Sequence, residues 1–405
     1  MGARSILPIV LAGGTGSRLA PLSTPECPKP FLPLPGGGSL LSETLRRVAD
    51  PALFTPPMLV GSQRHRFALL NHAREATVVP RAILLEPESR NTAMAVASAI
   101  AWLIARREAE QCLAILPADH HISPPGAWYA ALVQAEAASQ ARSQLVLLGV
   151  VPTGLSPEYG YIQPGEAMEG GTAFRVVRFI EKPSHPETLP VGCWWNSGQF
   201  IGTAGCFAAL LARYAPTIWH AAQQAVSQAI TAWEFTELAA APYAQAIDEP
   251  FDRAVVERAP VLAMPLGAAW QDLGTLAAWE AYTGLPASHW QALPPRTDRP
   301  WGYFELISQH PEQVEKRLCL YPGARISLQR HQHRRETWEI RQGKAVVEYH
   351  GQTKQLLPGD NITIEPGCWH RLANGGTDKL IIDEIQTGKP DEADIERCAD
   401  DYGRS

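Results

Sequence analysis

The feature that most constrains this chain is a glycine-rich turn that directly follows a short apolar run near its start. Residues 6–12 are all apolar, and Gly13, Gly14 and Gly16 follow at once. The run is too short to span a bilayer, and no small-residue cleavage site of a signal peptide precedes the glycines. Glycine lets the backbone approach a ligand closely, and successive amides can donate to phosphate oxygens. The pattern therefore predicts a buried strand that leads into a phosphate-binding turn.

The segments that follow alternate between strand-like and helix-like patterns up to about residue 150. This alternation predicts an α/β fold in which strands lie parallel and helices cover both faces of the sheet. Ligands of such sheets gather at the carboxyl ends of the strands, where the glycine turn and Asp119 would both lie. The predicted strands are residues 6–11, 58–61, 82–86, 112–116 and 144–151, and the predicted helices are residues 92–107 and 128–142.

The character of the chain changes after a proline-rich segment, residues 285–298, which is predicted to be a linker. Residues 300–388 contain short strand-like runs separated by glycine turns, a pattern typical of an antiparallel barrel or jelly roll. We therefore expect an α/β domain over residues 1–284 and an all-β domain over residues 299–405.

The overall composition excludes several classes of function. The 405 residues carry a formal net charge of −6, which argues against a broad nucleic-acid surface, so any anionic ligand must be held by local basic residues. The seven cysteines are odd in number, and none are spaced as C-x-x-C. This usage favours reduced thiols in a cytoplasmic protein over a disulfide framework or a cysteine zinc site. No segment indicates a membrane partner.

Charged residues near the glycine turn fit a nucleoside triphosphate. Arg18 and Lys29 supply positive charge for its phosphates, whereas a Gly-Gly turn by itself is common and would be weak evidence. Asp119 and Asp272 each lie beside a turn, and two converging carboxylates could hold Mg²⁺ against the phosphates. A helix cap is the alternative role for either aspartate.

Further polar residues fit the other substrate groups. Glu181 can accept from sugar hydroxyls while Lys182 pairs with a sugar phosphate, although the two could equally form a surface ion pair. Asn196 and the backbone of Gly160 are candidate sugar contacts. Glu86 could accept two donors from the Watson–Crick edge of guanine, and a buried structural carboxylate is its alternative role.

A second set of polar residues in the C-terminal region suits a divalent metal. Gln329 and His331 are two residues apart, so on a strand their side chains face the same side. Glu336 lies across the next turn, and His370 belongs to another strand-like run. Two imidazoles, a carboxylate and an amide oxygen can hold Zn²⁺ or another divalent ion inside a barrel. The alternative is a solvated histidine-rich turn.

The N-terminal region resembles the sugar-nucleotide pyrophosphorylases, and more narrowly the mannose-1-phosphate guanylyltransferases. The resemblance implies a Rossmann-like mixed sheet, Mg²⁺ at Asp119 and Asp272, and nucleotide contacts that include Asn91. Two positions depart from the family, which usually has Trp at Ala20 and Gln at Pro30. The motifs that carry the resemblance, in family order, are residues 11–19, 28–30, 85–93, 116–120, 159–162, 179–183, 195–198 and 271–274.

The C-terminal region resembles the cupin domain of type II phosphomannose isomerases, through residues 299–302, 316–317, 322–329 and 395–404. This resemblance implies proton transfer between carbons 1 and 2 of a hexose 6-phosphate through an enediol whose negative oxygens a metal would stabilise. It also implies phosphate binding or proton transfer by Lys316, Arg299, Arg397 and Arg404. Glu365-Pro366-Gly367 stands where the family has Pro-x-Gly.

The order of the two regions matches bifunctional isomerase/guanylyltransferases, except that a segment which usually joins them is replaced by the short linker. In relatives that segment forms a small β-helical domain used in assembly, so the oligomeric state stays open. The resemblance implies GTP, mannose 1-phosphate and hexose 6-phosphate as substrates. Three alternatives remain: a transferase with an inactive or regulatory cupin, a sugar-nucleotide sensor without turnover, and a pyrophosphorylase for another sugar or base.

Overall fold

The structure is a computed structural model that describes residues 6–14 and 16–402. The chain forms two compact units, which divide between Ala287 and Ser288. Within the described residues, no helix combines the length and the apolar character needed to cross a membrane.

An eleven-stranded mixed sheet forms the centre of the first unit. The strands of this unit are β1 Leu7–Leu11, β2 Met58–Ser62, β3 Ala82–Glu86, β4 Cys112–Pro117, β5 His121–Ser123, β6 Val146–Val150, β7 Tyr161–Ala167, β8 Phe174–Ile180, β9 Trp194–Thr203, β10 Ile230–Ala232, β11 Phe235–Glu237, β12 Leu262–Pro265 and β13 Ala269–Gln271. The strand order in the sheet is β10-β11-β3-β2-β1-β4-β9-β6-β12-β8-β7, and β5 and β13 pair separately.

Four of the five strands predicted from the alternating pattern, β1 to β4, form the parallel half of this sheet together with β11, and the fifth, β6, lies beyond β9. Strands β11, β3, β2, β1 and β4 are all parallel. Antiparallel β9 then separates β4 from β6, which makes the sheet mixed. The carboxyl ends of β1 and β4 therefore meet at one edge, as the sequence predicts.

Helices cover both faces of the sheet. The alternating side chains of β1 show this. Ile9 packs with the helices of residues 91–105, 204–214 and 216–227 on one face, while Val10 packs with the helices of residues 40–47 and 66–75 on the other. The helix α1 is capped by Ser39, whose hydroxyl accepts from the Ser42 amide. The helices are α1 Leu40–Arg47, α2 Arg66–Glu75, α3 Asn91–Ala105, α4 Pro125–Arg142, α5 Ala204–Tyr214, α6 Pro216–Ser227, α7 Ala240–Tyr243, α8 Leu276–Thr283 and α9 Ala287–Gln291.

The second unit is all-β and antiparallel, which confirms the cupin-type prediction. Its strands are β14 Arg296–Arg299, β15 Gly302–His310, β16 Gln313–Leu320, β17 Leu328–Arg330, β18 Arg334–Gln342, β19 Ala345–Tyr349, β20 Gln352–Leu356, β21 Asn361–Ile364, β22 His370–Asn374, β23 Leu380–Gly388 and β24 Glu396–Ala399. One sheet has the order β14-β15-β16-β23-β18-β21 and the other β20-β19-β22-β17-β24. Residues of both sheets, among them Trp338 and Leu372, pack into one core.

The segment 285–298 differs from the unpatterned linker that the sequence predicts, because it contains α9 and most of β14. Strand β14 pairs with β15 and lies at the edge of its sheet. Arg296 lies over the Tyr303 ring, 3.8 Å from its centroid, and pairs with Asp298 at 2.8 Å. A strand whose contacts come from charged side chains has no apolar alternation, which explains why the pattern gave no strand here.

Candidate active sites in the two units

The first candidate site lies at the carboxyl ends of the parallel strands. The glycine turn follows β1, Asp119 follows β4, and Asp272 follows β13. Neither aspartate caps a helix: Pro124 precedes α4, and Thr275 caps α8 by accepting from the Ala278 amide. The helix-cap alternative therefore does not apply to either carboxylate.

Lys29 holds the two aspartates together. Its Nζ lies 3.0 Å from Asp119 Oδ2 and 2.8 Å from Asp272 Oδ1, and it also donates to the Asp272 carbonyl oxygen. The lysine is only 5 % exposed. Burial on its own lowers the pKa of Lys29, but the two carboxylates outweigh burial and raise that pKa above its usual value. The ammonium is therefore a permanent, buried positive charge.

His120 and Arg18 complete the charge arrangement around Asp272. The indole of Trp270 donates to His120 Nδ1 at 3.1 Å, which leaves His120 Nε2 facing Asp272 Oδ1 at 3.6 Å. Burial lowers the pKa of His120, so the ring is neutral at pH 7 with its proton on Nε2. The half-exposed Arg18 lies 3.7 Å from Asp272 Oδ2 and also pairs with Glu158.

The glycine turn packs directly against Lys29. A Cβ on Gly16 would lie 2.8 Å from Lys29 Cβ, and Gly16 has a φ of +61°, so only glycine fits there. Gly14, with a φ of +95°, has open space beside it. A cavity of about 190 Å³ opens at this turn, lined by residues that include Gly13, Arg18, Lys29 and Asp119. Backbone and cationic groups thus face one space, as phosphate binding requires.

A neighbouring cavity of about 440 Å³ shares Gly13, Gly14 and Asp119 with the first and adds Glu86 and Asn91. Glu86 is buried and accepts a hydrogen bond from the Tyr243 hydroxyl at 2.5 Å. Burial raises the pKa of Glu86 to about 7, while that hydrogen bond lowers it. Asn91 begins α3, and its Oδ1 accepts from the Thr92 amide.

The raised pKa of Glu86 predicts a pH-dependent stability. The folded protein binds more protons than the unfolded chain between pH 4.5, the ordinary value, and about 7, so the free energy of unfolding falls as pH rises through this range. Raising the pH from 5 to 8 should therefore lower the free energy of unfolding of wild type by about 3 kcal/mol more than that of Glu86→Gln, which has no carboxyl group to titrate at this position. Urea unfolding of both proteins at the two pH values measures this; parallel pH profiles would contradict it.

The residues predicted to hold the sugar are brought together around Asn196. The backbone N–H of Asn196 donates to the Gly160 carbonyl oxygen at 2.8 Å. A Cβ on Gly160 would lie 2.7 Å from Glu181 Oε2, so the carboxylate rests against this glycine. Lys182 is largely exposed and pairs with Glu181 at 3.0 Å. The ion pair that the sequence allowed as an alternative is therefore present.

The second candidate site lies inside the β-sandwich. His331, Glu336 and His370 each offer a ligand atom, and these atoms lie within 4.8 Å of one another. His331 Nε2 is 3.0 Å from Glu336 Oε1, and His370 Nε2 is 3.5 Å from Glu336 Oε2. All three residues are almost fully buried, so the alternative of a solvated histidine turn does not apply to His331.

The hydrogen bonds of His370 fit a bound cation, whereas on the other side of Glu336 the Arg334 guanidinium donates to Glu336 Oε1 at 2.9 Å and to His331 Nε2 at 3.2 Å. His370 Nδ1 donates to the Cys368 carbonyl oxygen at 3.0 Å, so Nε2 keeps its lone pair. Nε2 and Glu336 Oε2 face each other as two buried acceptors that have no hydrogen-bond partner among the residues the structure describes. Such a pair is costly unless a cation lies between them. Gln329 Oε1, the fourth predicted ligand, accepts from the Ser327 hydroxyl at 2.8 Å.

A cavity of about 60 Å³ places Glu336 beside the cations that were predicted to bind phosphate. Its lining includes Gln329 and Glu336 together with Arg299, Lys316 and Arg397. Lys316 is buried, with its ammonium 4.9 Å from the centroid of the Phe304 ring. Arg404 lies outside the described residues.

The sequence interpretation missed three polar residues of this cavity, namely Arg334, Glu384 and Gln386. The Gln386 amide donates to both Glu336 and Glu384, and the Trp338 indole donates to Glu384 at 3.0 Å. Burial, with the neighbouring charge of Glu336, raises the pKa of Glu384 to about 8. The signal was present, because Glu384 and Gln386 continue the inward alternation that Leu380 and Ile382 begin on β23.

These two sites define a nucleotidyltransferase joined to a cupin-type isomerase domain. Residues 7–285 match the Nucleotidyl transferase family, and residues 289–400 match the family described as Mannose-6-phosphate isomerase C-terminal. The chain belongs to the mannose-1-phosphate guanylyltransferase family whose members carry this isomerase domain.

Full-length relatives support this membership. The Xanthan biosynthesis protein XanB of Xanthomonas campestris pv. campestris strain B100 is 33 % identical over 470 residues, covering 99 % of both chains. The mannose-1-phosphate guanylyltransferase of Escherichia coli K12 is 30 % identical over 481 residues, covering 100 % of both. An alignment of 470 positions against a chain of 405 residues leaves at least 65 positions as gaps in this chain. This agrees with the prediction of a missing segment.

Two solved structures share the fold. A protein from Thermus thermophilus, described as mannose-1-phosphate geranyltransferase, is 32 % identical with a TM-score of 0.58, covering 68 % of this chain and 78 % of its own. A mannose-6-phosphate isomerase from Helicobacter pylori is 27 % identical with a TM-score of 0.56, covering 66 % of this chain and 100 % of its own.

Proposed function

We propose that the first unit transfers GMP from GTP to mannose 1-phosphate, giving GDP-mannose and pyrophosphate, and that the second unit interconverts mannose 6-phosphate and fructose 6-phosphate. The observation that carries the first activity is the convergence of Asp119 and Asp272 on buried Lys29 beside the glycine turn. The order of the two matched families supports the combination. The two activities are not consecutive, because the phosphate must move from carbon 6 to carbon 1 of mannose between them.

The transfer is an in-line displacement at the α-phosphorus of GTP. A phosphate oxygen of mannose 1-phosphate forms the new bond, and the bond between the α-phosphorus and the bridging oxygen breaks as pyrophosphate leaves. Lys29, Arg18 and the amides of the glycine turn stabilise the negative charge and orient the phosphates. Asp119 and Asp272 offer the oxygen ligands that Mg²⁺ prefers, and the ion would neutralise the charge of the leaving pyrophosphate.

Glu86 is the group in the larger cavity best suited to guanine. Its carboxylate keeps acceptor positions beyond the one used by Tyr243, and guanine presents two donors on its Watson–Crick edge, whereas uracil presents one. Asn91 lines the same cavity. The sugar 1-phosphate is assigned to the region of Gly160, Glu181 and Asn196, with Lys182 turning from Glu181 towards the phosphate.

The isomerase activity is carried by the buried acceptor pair of Glu336 and His370. His331, Glu336, His370 and Gln329 would hold Zn²⁺ or another divalent ion, which would supply positive charge where the oxygens on carbons 1 and 2 become negative. Arg299, Lys316 and Arg397 line the same cavity and suit a hexose 6-phosphate.

A competition experiment tests the substrate pair directly. The protein is incubated with Mg²⁺, an equimolar mixture of GTP, ATP, UTP, CTP and dTTP, and one sugar 1-phosphate, and the nucleotide sugars are identified by mass spectrometry. Mannose 1-phosphate and glucose 1-phosphate are supplied in separate reactions, because their products have equal masses. We expect GDP-mannose to dominate. Dominance of another product would keep the mechanism and replace the substrates, and no product at all would contradict the proposal.

A further inference from the structure

The amide of Asn196 is already engaged by the protein itself. Its Oδ1 accepts from the Gly198 amide at 3.1 Å, which fixes the orientation of the side chain. Its Nδ2 then donates to Asp252 Oδ1 at 2.6 Å. The side-chain amide therefore connects the start of β9 to Asp252, and one N–H and one lone pair of Oδ1 remain for a ligand.

Asp252 is placed at the substrate cavity by an ordered segment. It begins a single π-helical turn, Asp252–Val256, whose preceding residue Phe251 is fully buried. The Phe251 amide donates to the Thr92 hydroxyl at 2.9 Å, which ties this segment to the start of α3. The Asp252 side chain lines the cavity of about 440 Å³ that also contains Glu86 and Asp119.

The surroundings of Asp252 favour a hydroxyl as its ligand. Burial, with the neighbouring charge of Glu181, raises the pKa of Asp252 to about 7. A second anion beside it is therefore unfavourable, whereas a neutral hydroxyl can donate to either form of the carboxyl group and can accept from the protonated form. The phosphates of both substrates have cationic partners elsewhere, at Arg18, Lys29 and Lys182.

We propose that Asp252 binds a hydroxyl group of the sugar 1-phosphate, and that Asn196 is the positioning residue that holds the carboxyl group towards it. This assignment rests on the proposed transferase function and adds a sugar-binding residue that sequence motifs did not indicate. A site built around one hydroxyl discriminates strongly against a sugar that lacks it, because the carboxyl group then loses that hydrogen bond in the cavity.

The test is a thermodynamic cycle in which the Asp252 carboxyl group and one hydroxyl of the sugar are removed singly and together. Pyrophosphate release is measured with mannose 1-phosphate and its 2-, 3-, 4- and 6-deoxy analogues, for wild type and Asp252→Ala. We expect Asp252→Ala to lower kcat/KM for mannose 1-phosphate by about 10- to 100-fold. For one deoxy analogue the two proteins should agree within about twofold. The KM for GTP should be unchanged, and Asn196→Ala should show the same pattern in weaker form.

The outcomes separate this inference from the transferase proposal. Asp50→Asn removes the same charge from an exposed loop before β2, at the opposite edge of the sheet, and should leave all sugars unaffected. An equal loss for every analogue, or no loss, in Asp252→Ala would overturn the role of Asp252 while wild-type activity upholds the transferase. If wild type uses another sugar 1-phosphate, the deoxy series of that sugar decides. Absence of wild-type release with every sugar would contradict both.

Discussion

Replacing Lys29 with methionine is expected to lower kcat for pyrophosphate release by about 10²- to 10³-fold, the usual cost of removing a preorganised donor from a reacting phosphate or oxyanion. Lys29 is the buried cation that lies within 3.0 Å of both Asp119 and Asp272. Without it the two carboxylates repel each other and the triphosphate. Methionine keeps most of the side-chain volume, so the loss reports on charge rather than on a cavity.

The matched control is Arg64→Met, which removes an exposed cation paired with Glu26. Exposed pairs contribute little, so this variant should keep wild-type activity. Thermal unfolding of both variants separates loss of chemistry from loss of folding. Activity of Lys29→Met within about threefold of wild type would show that the buried ammonium is not part of the transfer.

Replacing Glu336 with glutamine is expected to lower both metal content and isomerase activity by at least about 100-fold. The change keeps the shape of the side chain but removes the negative charge between His331 and His370. Metal content is measured after dialysis against Zn²⁺, Co²⁺ or Mn²⁺, and isomerase activity by conversion of fructose 6-phosphate. A ligand at about 100 times its Kd stabilises a fold by about 2.7 kcal/mol. Added metal should therefore raise the unfolding temperature of wild type but not that of Glu336→Gln.

Glu339→Gln is the control on the same strand, because Glu339 pairs with Arg341 at the surface. It should bind metal and isomerise sugar as wild type does. Both variants should retain pyrophosphate release, since the first unit has its own site. Full isomerase activity in Glu336→Gln would contradict the metal role. Full metal binding in wild type without isomerase activity would favour a regulatory cupin.

The sequence predicted the parts of the fold that depend on local pattern. The apolar run before Gly13 became β1, and the alternation up to residue 150 became strands β1 to β4 of the parallel half, strand β6 beyond β9, and their helices. Short strands between glycine turns became the all-β unit. Each of these rests on residues close together in the chain, where periodicity and turn chemistry are informative.

Contacts between residues that are far apart in the chain could not be predicted from local sequence pattern. Insertion of antiparallel β9 between β4 and β6 is decided by packing across the whole unit. The same holds for the bond between Tyr243 and Glu86, which are 157 positions apart. Asp252 carries no distinctive local signal, because Asp248, Glu249 and Arg253 lie in the same short stretch. Its contact with Asn196 exists only in the folded chain.

The candidate sites were predictable to different extents. Residue types at a glycine turn or on one face of a strand indicated phosphate and metal chemistry, and the structure brings Lys29 to Asp119 and Asp272, and His331 to Glu336 and His370. The supporting groups, such as Trp270 behind His120, come from elements remote in sequence. Such partners determine which ring nitrogen of a histidine carries the proton, and they cannot be predicted from the spacing of residues in the sequence.

The most direct test of the central claim is pyrophosphate release with Mg²⁺, each nucleoside triphosphate, and either mannose 1-phosphate or glucose 1-phosphate. The proposed function predicts release with GTP and mannose 1-phosphate, and its loss in Asp119→Ala and in Asp272→Ala. Release with a different pair would retain the mechanism and change the specificity. Absence of release with every pair, in a folded protein that still binds these ligands, would contradict the transferase and favour a sensor of sugar nucleotides.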